Sequence, residues 1–262
     1  MTQAASWRDR VVVVTGASSG IGAALAGEVS RRGGTVVLTA RRADKLAEVA
    51  APLVPRLAPT LVVPGDVTRR EDVDRVLAAA VDRFGKVDVW VNNAGRGITR
   101  SVEELTDEDV DTMIADNLKS ALYGMQAAAK HFRDRRAGQI VNVSSMLARA
   151  PYASFRSAYS ASKAALNSIT ESLRLDLARD VPDVVVTCVM PGVVATDFGL
   201  NAFRGGADSR SFPHAQSVEE VVAIIADAIE HRRGGDIYTR PDAADRVVAH
   251  LRALASTGAG TT

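Results

Sequence analysis

A tyrosine and a lysine four residues apart, in Tyr159-Ser160-Ala161-Ser162-Lys163, are the pair in this chain best suited to moving a proton. On a helix they share one face, a turn apart. A free phenol titrates near about 10 and is a poor acid or base at neutral pH. A fixed ammonium beside it favours the phenolate and lowers that value towards the working range. The run from Ser157 to Leu177 carries Ala161, Ala165, Leu166, Ile169, Leu173 and Leu177 at helical spacing, which predicts the helix. A Tyr-x-x-x-Lys match alone is weak, because both residues are common. Its weight comes from the segments around it.

The strongest of these is Thr15-Gly16-Ala17-Ser18-Ser19-Gly20-Ile21-Gly22. It follows a β-branched run, Val11 to Val14, and opens an apolar helical pattern, the context that makes a glycine-rich turn informative. Gly16 permits the tight turn, Gly20 lets the backbone approach a pyrophosphate, and Gly22 lets the helix pack on the strand. The amides and dipole of the helix N-terminus then favour the anion. A plain strand–helix turn needs one glycine, not three.

The elements that must position these groups alternate. Strands are predicted at 11–14, 35–39, 61–63, 87–91, 139–143, 184–189 and 236–239. Helices are predicted at 20–32, 44–57, 71–84, 106–114, 118–133, the Tyr/Lys helix, 218–230 and 243–254. Residues 191–216 have no clear period and read as a long loop over the substrate, and 256–262 as a flexible tail. Regular alternation implies parallel strands with right-handed crossovers, an α/β Rossmann-type doubly wound sheet. No linker or internal repeat divides the chain, so one domain is expected, with its core at about 10–240.

Composition is that of a globular protein: 262 residues, 47% hydrophobic and 24% charged. A net charge of +1 gives no reason to expect nucleic acid or an anionic membrane as partner. Cys188 is the only cysteine, which excludes an internal disulfide and suits a reducing compartment. No apolar run approaches a membrane span, and Met1 to Arg10 lacks the apolar core of a secretory signal, so a cytoplasmic location is expected. The histidines, His131, His214, His231 and His250, show no ligand spacing and read as surface residues; no metal is expected.

Thr15 to Gly22, Asp66-Val67, Asn92-Asn93-Ala94-Gly95, Asn117, Ser144-Ser145, Tyr159 to Lys163 and Pro191-Gly192, in this order and spacing, resemble the short-chain dehydrogenase/reductase family over about Arg10 to Tyr238. The resemblance implies a seven-stranded parallel sheet, a nicotinamide cofactor, and a homodimer or homotetramer. It implies that Asp66 hydrogen-bonds around the adenine while Val67 packs on it, with a helix cap as the rival role for Asp66. It implies that Asn93, Ala94 and Gly95 pass the backbone close to the cofactor, Asn93 being at least half structural. Val194 and Thr196, after the Pro191-Gly192 turn, would meet the carboxamide. Lys163 would also bind the nicotinamide ribose. Ser145, 14 residues before Tyr159, takes the substrate oxygen by the family pattern, in preference to Ser144. That spacing implies a one-residue insertion within 146–158. Asn117 would hold a water linking Lys163 to solvent, or simply cap a helix.

After the second strand comes Ala40-Arg41-Arg42, where an acid about 20 residues past the glycines would bind the ribose hydroxyl of NAD. An arginine there pairs instead with a 2′-phosphate. NADP(H) is therefore favoured over NAD(H), through Arg41 and as a second contact Arg42, unless these arginines only begin a solvated helix. The function implied is hydride transfer between the nicotinamide and a ketone or secondary alcohol, with Tyr159 giving or taking the proton. A catalytically silent cofactor-binding regulator and a cofactor-retaining isomerase or lyase are the alternatives. For the substrate pocket the candidates are Arg96, Ile98, Met146, Leu147, Tyr152, Phe155, Phe198, Leu200, Phe203 and Phe212. Most are apolar, which favours a hydrophobic or aromatic substrate; Arg96, Arg149 and Arg156 could instead meet an acidic group, against the usual solvated state of arginines in loops.

Overall fold

Val11 to Thr15 form the first strand, β1, and are buried on both faces, as a continuous β-branched run demands. Alternate side chains point to opposite sides: Val12 and Val14 join one apolar cluster, Val11 and Val13 the other. The computed structural model describes residues 6–53 and 59–257. Six further strands lie parallel to the first: β2 (Thr35–Thr39), β3 (Thr60–Val62), β4 (Val89–Asn92), β5 (Gly138–Val143), β6 (Val184–Met190) and β7 (Gly235–Tyr238). Their order is β3-β2-β1-β4-β5-β6-β7, so the chain leaves β1 towards one edge and returns at β4 to run towards the other. The crevice beyond the carboxyl ends of β1 and β4 is the switch point where such sheets take ligands.

The helices are α1 (Gly20–Arg31), α2 (Ala43–Ala50), α3 (Arg70–Phe84), α4 (Asp107–Ile114), α5 (Ser120–Arg135), α6 (Ser157–Asp180), α7 (Val218–Glu230) and α8 (Ala243–Thr257). Leu25, Val29, Leu46 and Ile225 carry α1, α2 and α7 onto one face of the sheet. Val76, Phe132 and Leu166 carry α3, α5 and α6 onto the other. No helix among the described residues is long and apolar enough to cross a membrane.

Five expectations need correcting. The helix predicted over 44–57 ends at Ala50 and turns through Leu53; 54–57 lie outside the described residues. The gap predicted between 114 and 118 is a π-helical turn, Ala115–Lys119, joining α4 to α5 without a break. β4 begins at Val89, not Val87, because the Val87 N–H donates to His131 Nε2 at 3.1 Å and its carbonyl takes Arg135. His131 is thus no surface residue; it is half-buried, and burial lowers its pKa. The first two residues of the predicted tail, 256–257, continue α8, and 258–262 lie outside the described residues.

The loop 191–216 contains one 3-10 turn, Ser209–Ser211. Phe203 N–H donates to Gly97 O at 2.7 Å. Arg204 reaches Asp109 at 2.9 Å and Glu108 at 2.6 Å. The loop is therefore tied across the crevice to the 96–110 segment.

Candidate active site

The ends of β1 and β4 are locked side by side. Thr15 Oγ1 accepts from the Asn93 and Ala94 N–H groups, each at 3.0 Å, and Asn93 Nδ2 donates back to Thr15 O at 2.9 Å. Gly16 sits at φ +65°, and a Cβ there would come 2.8 Å from Ala94 Cα. A Cβ on Gly22 would come 2.5 Å from both Gly16 O and Asn93 Nδ2. These two glycines answer to backbone packing, and Asn93 is a brace between the strands. Gly20, at φ +55°, instead faces Thr196 from the opposite loop, its would-be Cβ 3.4 Å from that side chain.

At one end of the crevice Ala40 is buried and Arg41 is exposed at the rim. Arg42 Nη2 donates to Ser18 Oγ at 3.0 Å and Ser19 Oγ at 3.2 Å, which holds the glycine-rich turn. Asp66 Oδ1 accepts from Thr68 N–H and Oγ1 at 3.0 and 2.8 Å, closing a turn before α3, whose cap position is Arg69. Val67 packs into the core. Asp116, not singled out from sequence, has a buried Oδ2 without a hydrogen-bond partner. Burial raises its pKa, against the opposing charges of Arg41 and Arg96.

At the other end Tyr159, Ser145 and Lys163 are all buried. Burial raises the Tyr159 pKa; the Ser145 hydroxyl and the charge of Arg156 act against it. That differs from the expectation that Lys163 does the lowering. Lys163 Nζ donates to Val143 O at 2.8 Å, and burial brings its own pKa down to about 8. The tandem serines divide: the Ser145 hydroxyl acts on the phenol and accepts from Leu147 N–H at 3.2 Å, while Ser144 Oγ donates to the Lys163 carbonyl at 3.4 Å. Phe198 meets the Tyr159 ring edge-on at 5.6 Å. Asn117, in the π turn, accepts from Arg96 N–H through Oδ1 and donates to Arg96 O through Nδ2, each at 2.9 Å. It clamps a backbone segment and caps no helix.

One cavity of about 750 Å³ joins the two ends. Every residue expected to bind or act lines it except Thr15, Gly22 and Asn117, which stand behind its wall. Pro191 O accepts from Met146 N–H at 2.9 Å, while Thr196 N–H turns back to Val194 O at 2.8 Å. Of the pocket candidates, Ile98 is fully buried, Phe203 packs behind the wall and Leu200 is exposed without lining it. Arg149 is paired with Asp236 at 2.6 Å, away from the cavity. Sequence reasoning missed Asp116 and gave Arg156 no place beside Tyr159. Helical spacing marked it: Arg156 is three residues ahead of Tyr159.

A long crevice with positive-φ glycines on one wall, a cation beside a small residue at one end and a phenol–hydroxyl pair at the other fits a dinucleotide laid along it. The short chain dehydrogenase family model matches residues 10–205. An uncharacterized oxidoreductase of Staphylococcus epidermidis is 35% identical over 240 residues, 89% of this chain and 98% of that protein. A short-chain dehydrogenase/reductase of Burkholderia phymatum, solved in complex with NAD, superposes with a TM-score of 0.88 at 25% identity, over 97% of this chain and 96% of that one. A short-chain dehydrogenase of Sphingobium yanoikuyae, solved in complex with NADPH, gives 0.80 at 27% identity over the same shares.

Proposed function

The chain belongs to the short chain dehydrogenase family of oxidoreductases, and from that premise we propose that it reduces a ketone, or oxidises the matching secondary alcohol, with NADP(H) as the preferred cofactor. The observation that carries the reading is the placement of Ser145 and Tyr159, both buried and both on the cavity wall at the end of the crevice. A nicotinamide cofactor, when bound, supplies or takes the hydride. Ser145 donates to the substrate oxygen and orients it. Tyr159 gives that oxygen its proton in reduction and takes it back in oxidation. Lys163 holds a positive charge under the site and binds the cofactor ribose. The glycine-rich turn, with Ser18 and Ser19 held by Arg42, takes the pyrophosphate, Arg41 meets the 2′-phosphate, and Asp66 and Val67 border the adenine. Val194 and Thr196 hold the carboxamide. Known relatives point both ways on the cofactor, one solved with NAD and one with NADPH; Ala40-Arg41 is what favours the phosphate.

The test is a panel of ketones and secondary alcohols run with both cofactors on wild type and Tyr159→Phe. The phenylalanine keeps the ring packing and removes the proton donor. NADPH binding should be retained and turnover should fall about 10²–10⁴-fold. Turnover within a few-fold of wild type would rule out the role given to Tyr159.

A further inference from the structure

Among the described residues, the arginines around the substrate end of the cavity each act on a carboxylate, Arg96 on Asp116 and Arg240 and Arg246 on Asp242, with one exception. Arg96 Nε donates to Asn201 O at 3.2 Å, and its guanidinium lies 5.2 Å from the Phe203 ring centre. Arg240 Nη1 donates to His214 O at 2.5 Å, and its Nε stands 3.6 Å from Asp242. Arg246 approaches the same carboxylate at 3.7 Å and covers Tyr152.

Arg156 is the exception. It is the residue before α6, three positions ahead of Tyr159, so the two side chains are neighbours on the first turn. It lines the cavity and is half-buried. Nη1 donates to Ile98 O at 3.1 Å. Among the described residues no carboxylate pairs with it, and Nε and Nη2 have no partner; the one ionisable group that acts on it is the Tyr159 phenol. A half-buried cation without an anion is poorly compensated. The Phe155 ring centre lies 5.7 Å from its guanidinium, as rings lie near Arg96 and Arg246, and the other walls, Met146, Leu147 and Phe198, carry no charge.

We propose that the anion comes with the substrate: Arg156 reads a carboxylate placed next to the reacting carbonyl, on an apolar or aromatic body. The substrate class is then an oxo acid, or the corresponding hydroxy acid in the other direction. This rests on the reading of Tyr159 as the proton donor. With Nη1 held on Ile98 O, the guanidinium still has Nε and Nη2 to offer, the side of the fork that grips a carboxylate with two parallel bonds. Its place beside Tyr159 puts that carboxylate within a few bonds of the oxygen that Tyr159 and Ser145 address.

The experiment measures binding, so that it stands apart from turnover. Benzoylformate and its primary amide have one shape and differ in charge. Each is titrated calorimetrically into the full chain saturated with NADP⁺, with a parallel series in NAD⁺. Wild type should bind the acid at least tenfold more tightly than the amide. Arg156→Gln keeps a donor for Ile98 O; it should weaken the acid about ten- to a hundred-fold and leave the amide within twofold. Arg156→Lys should keep part of the preference. Equal binding of acid and amide by wild type, no acid binding in either series, or equal weakening of both by Arg156→Gln overturns the proposal. Loss of ketone reduction in Tyr159→Phe, with acid binding intact, bears on the proton donor alone.

Discussion

Asn117 and Lys163 meet over the same glycine. A Cβ built on Gly95 would lie 2.8 Å from Asn117 Oδ1 and 3.3 Å from Lys163 Nζ. The π turn brings Asn117 to that spot, and α6 brings Lys163 from the other side. Gly95 is thus the point where the two groups expected to act behind the phenol share a backbone support.

Gly95→Ala should disturb both. The methyl group displaces the Asn117 amide from Arg96 and crowds the ammonium, and overpacking of this kind costs about 1–3 kcal/mol. Asn117→Ala leaves the Arg96 N–H and carbonyl without their partners, at about 1–3 kcal/mol for each group kept from water. Denaturant unfolding checks both. If either variant unfolds with wild-type stability, the clamp is not holding the segment.

Lys163 gives a pH dependence with a definite sign. Its folded pKa of about 8 lies below the ordinary 10.5, because burial disfavours the ammonium. Between these values the unfolded chain holds a proton that the folded chain has released, so stability rises with pH there. The penalty is full below about 8 and fades towards 10.5. Lys163→Met has no such group. Wild type should therefore gain roughly 1–2 kcal/mol on this variant between pH 8 and 9.5. Tyr159 is common to both proteins, and its raised pKa acts above its ordinary 10.0, so it drops out of the difference. Parallel stability curves over that range would show that Lys163 keeps an ordinary pKa.

Much of this site was legible because its residues act through local patterns. Gly16, Gly20 and Gly22 announce a backbone that a side chain would obstruct, and period and spacing placed Tyr159 and Lys163 on one helix face. What sequence could not give was long-range. Asn92 and Asn142 bond to each other at 2.8 Å, take in Trp90 and Thr170, and need Gly124 to stay bare where α5 crosses them. No short-range pattern pairs residues 50 apart across a sheet. The partners of the groups near the phenol were hidden for the same reason. Helical spacing puts Lys163 near Tyr159, but the Val143 carbonyl, from another element, takes its ammonium. The helix predicted through 57 passed over a local stop signal: Pro52 stands two residues beyond Ala50, where α2 ends.

Cofactor choice is the sharpest test. Arg41 is exposed at the rim and Ala40 is buried behind it, so the position where an acid would bind a ribose hydroxyl offers room and a nearby cation. Arg42 is already engaged with Ser18 and Ser19, which leaves Arg41 as the arginine free to turn to a 2′-phosphate. A hydrogen bond to a charged group contributes ~1.5–3 kcal/mol. Arg41→Ala should therefore weaken NADPH by roughly ten- to a hundred-fold, at about 1.4 kcal/mol per tenfold, and change NADH little. Arg42→Ala should weaken both cofactors, because it loosens the turn proposed to hold the pyrophosphate common to them. Ala40→Asp adds a carboxylate that repels the phosphate and accepts from the ribose hydroxyl, so preference should move towards NADH. Exposure makes the Arg41 contribution salt-sensitive, and its removal should matter less as ionic strength rises. Dissociation constants of both cofactors, measured for wild type and the three variants at low and high salt, decide the matter. A wild type that prefers NADH, or an Arg41→Ala that weakens both cofactors alike, would mean that Arg41 only begins a solvated helix.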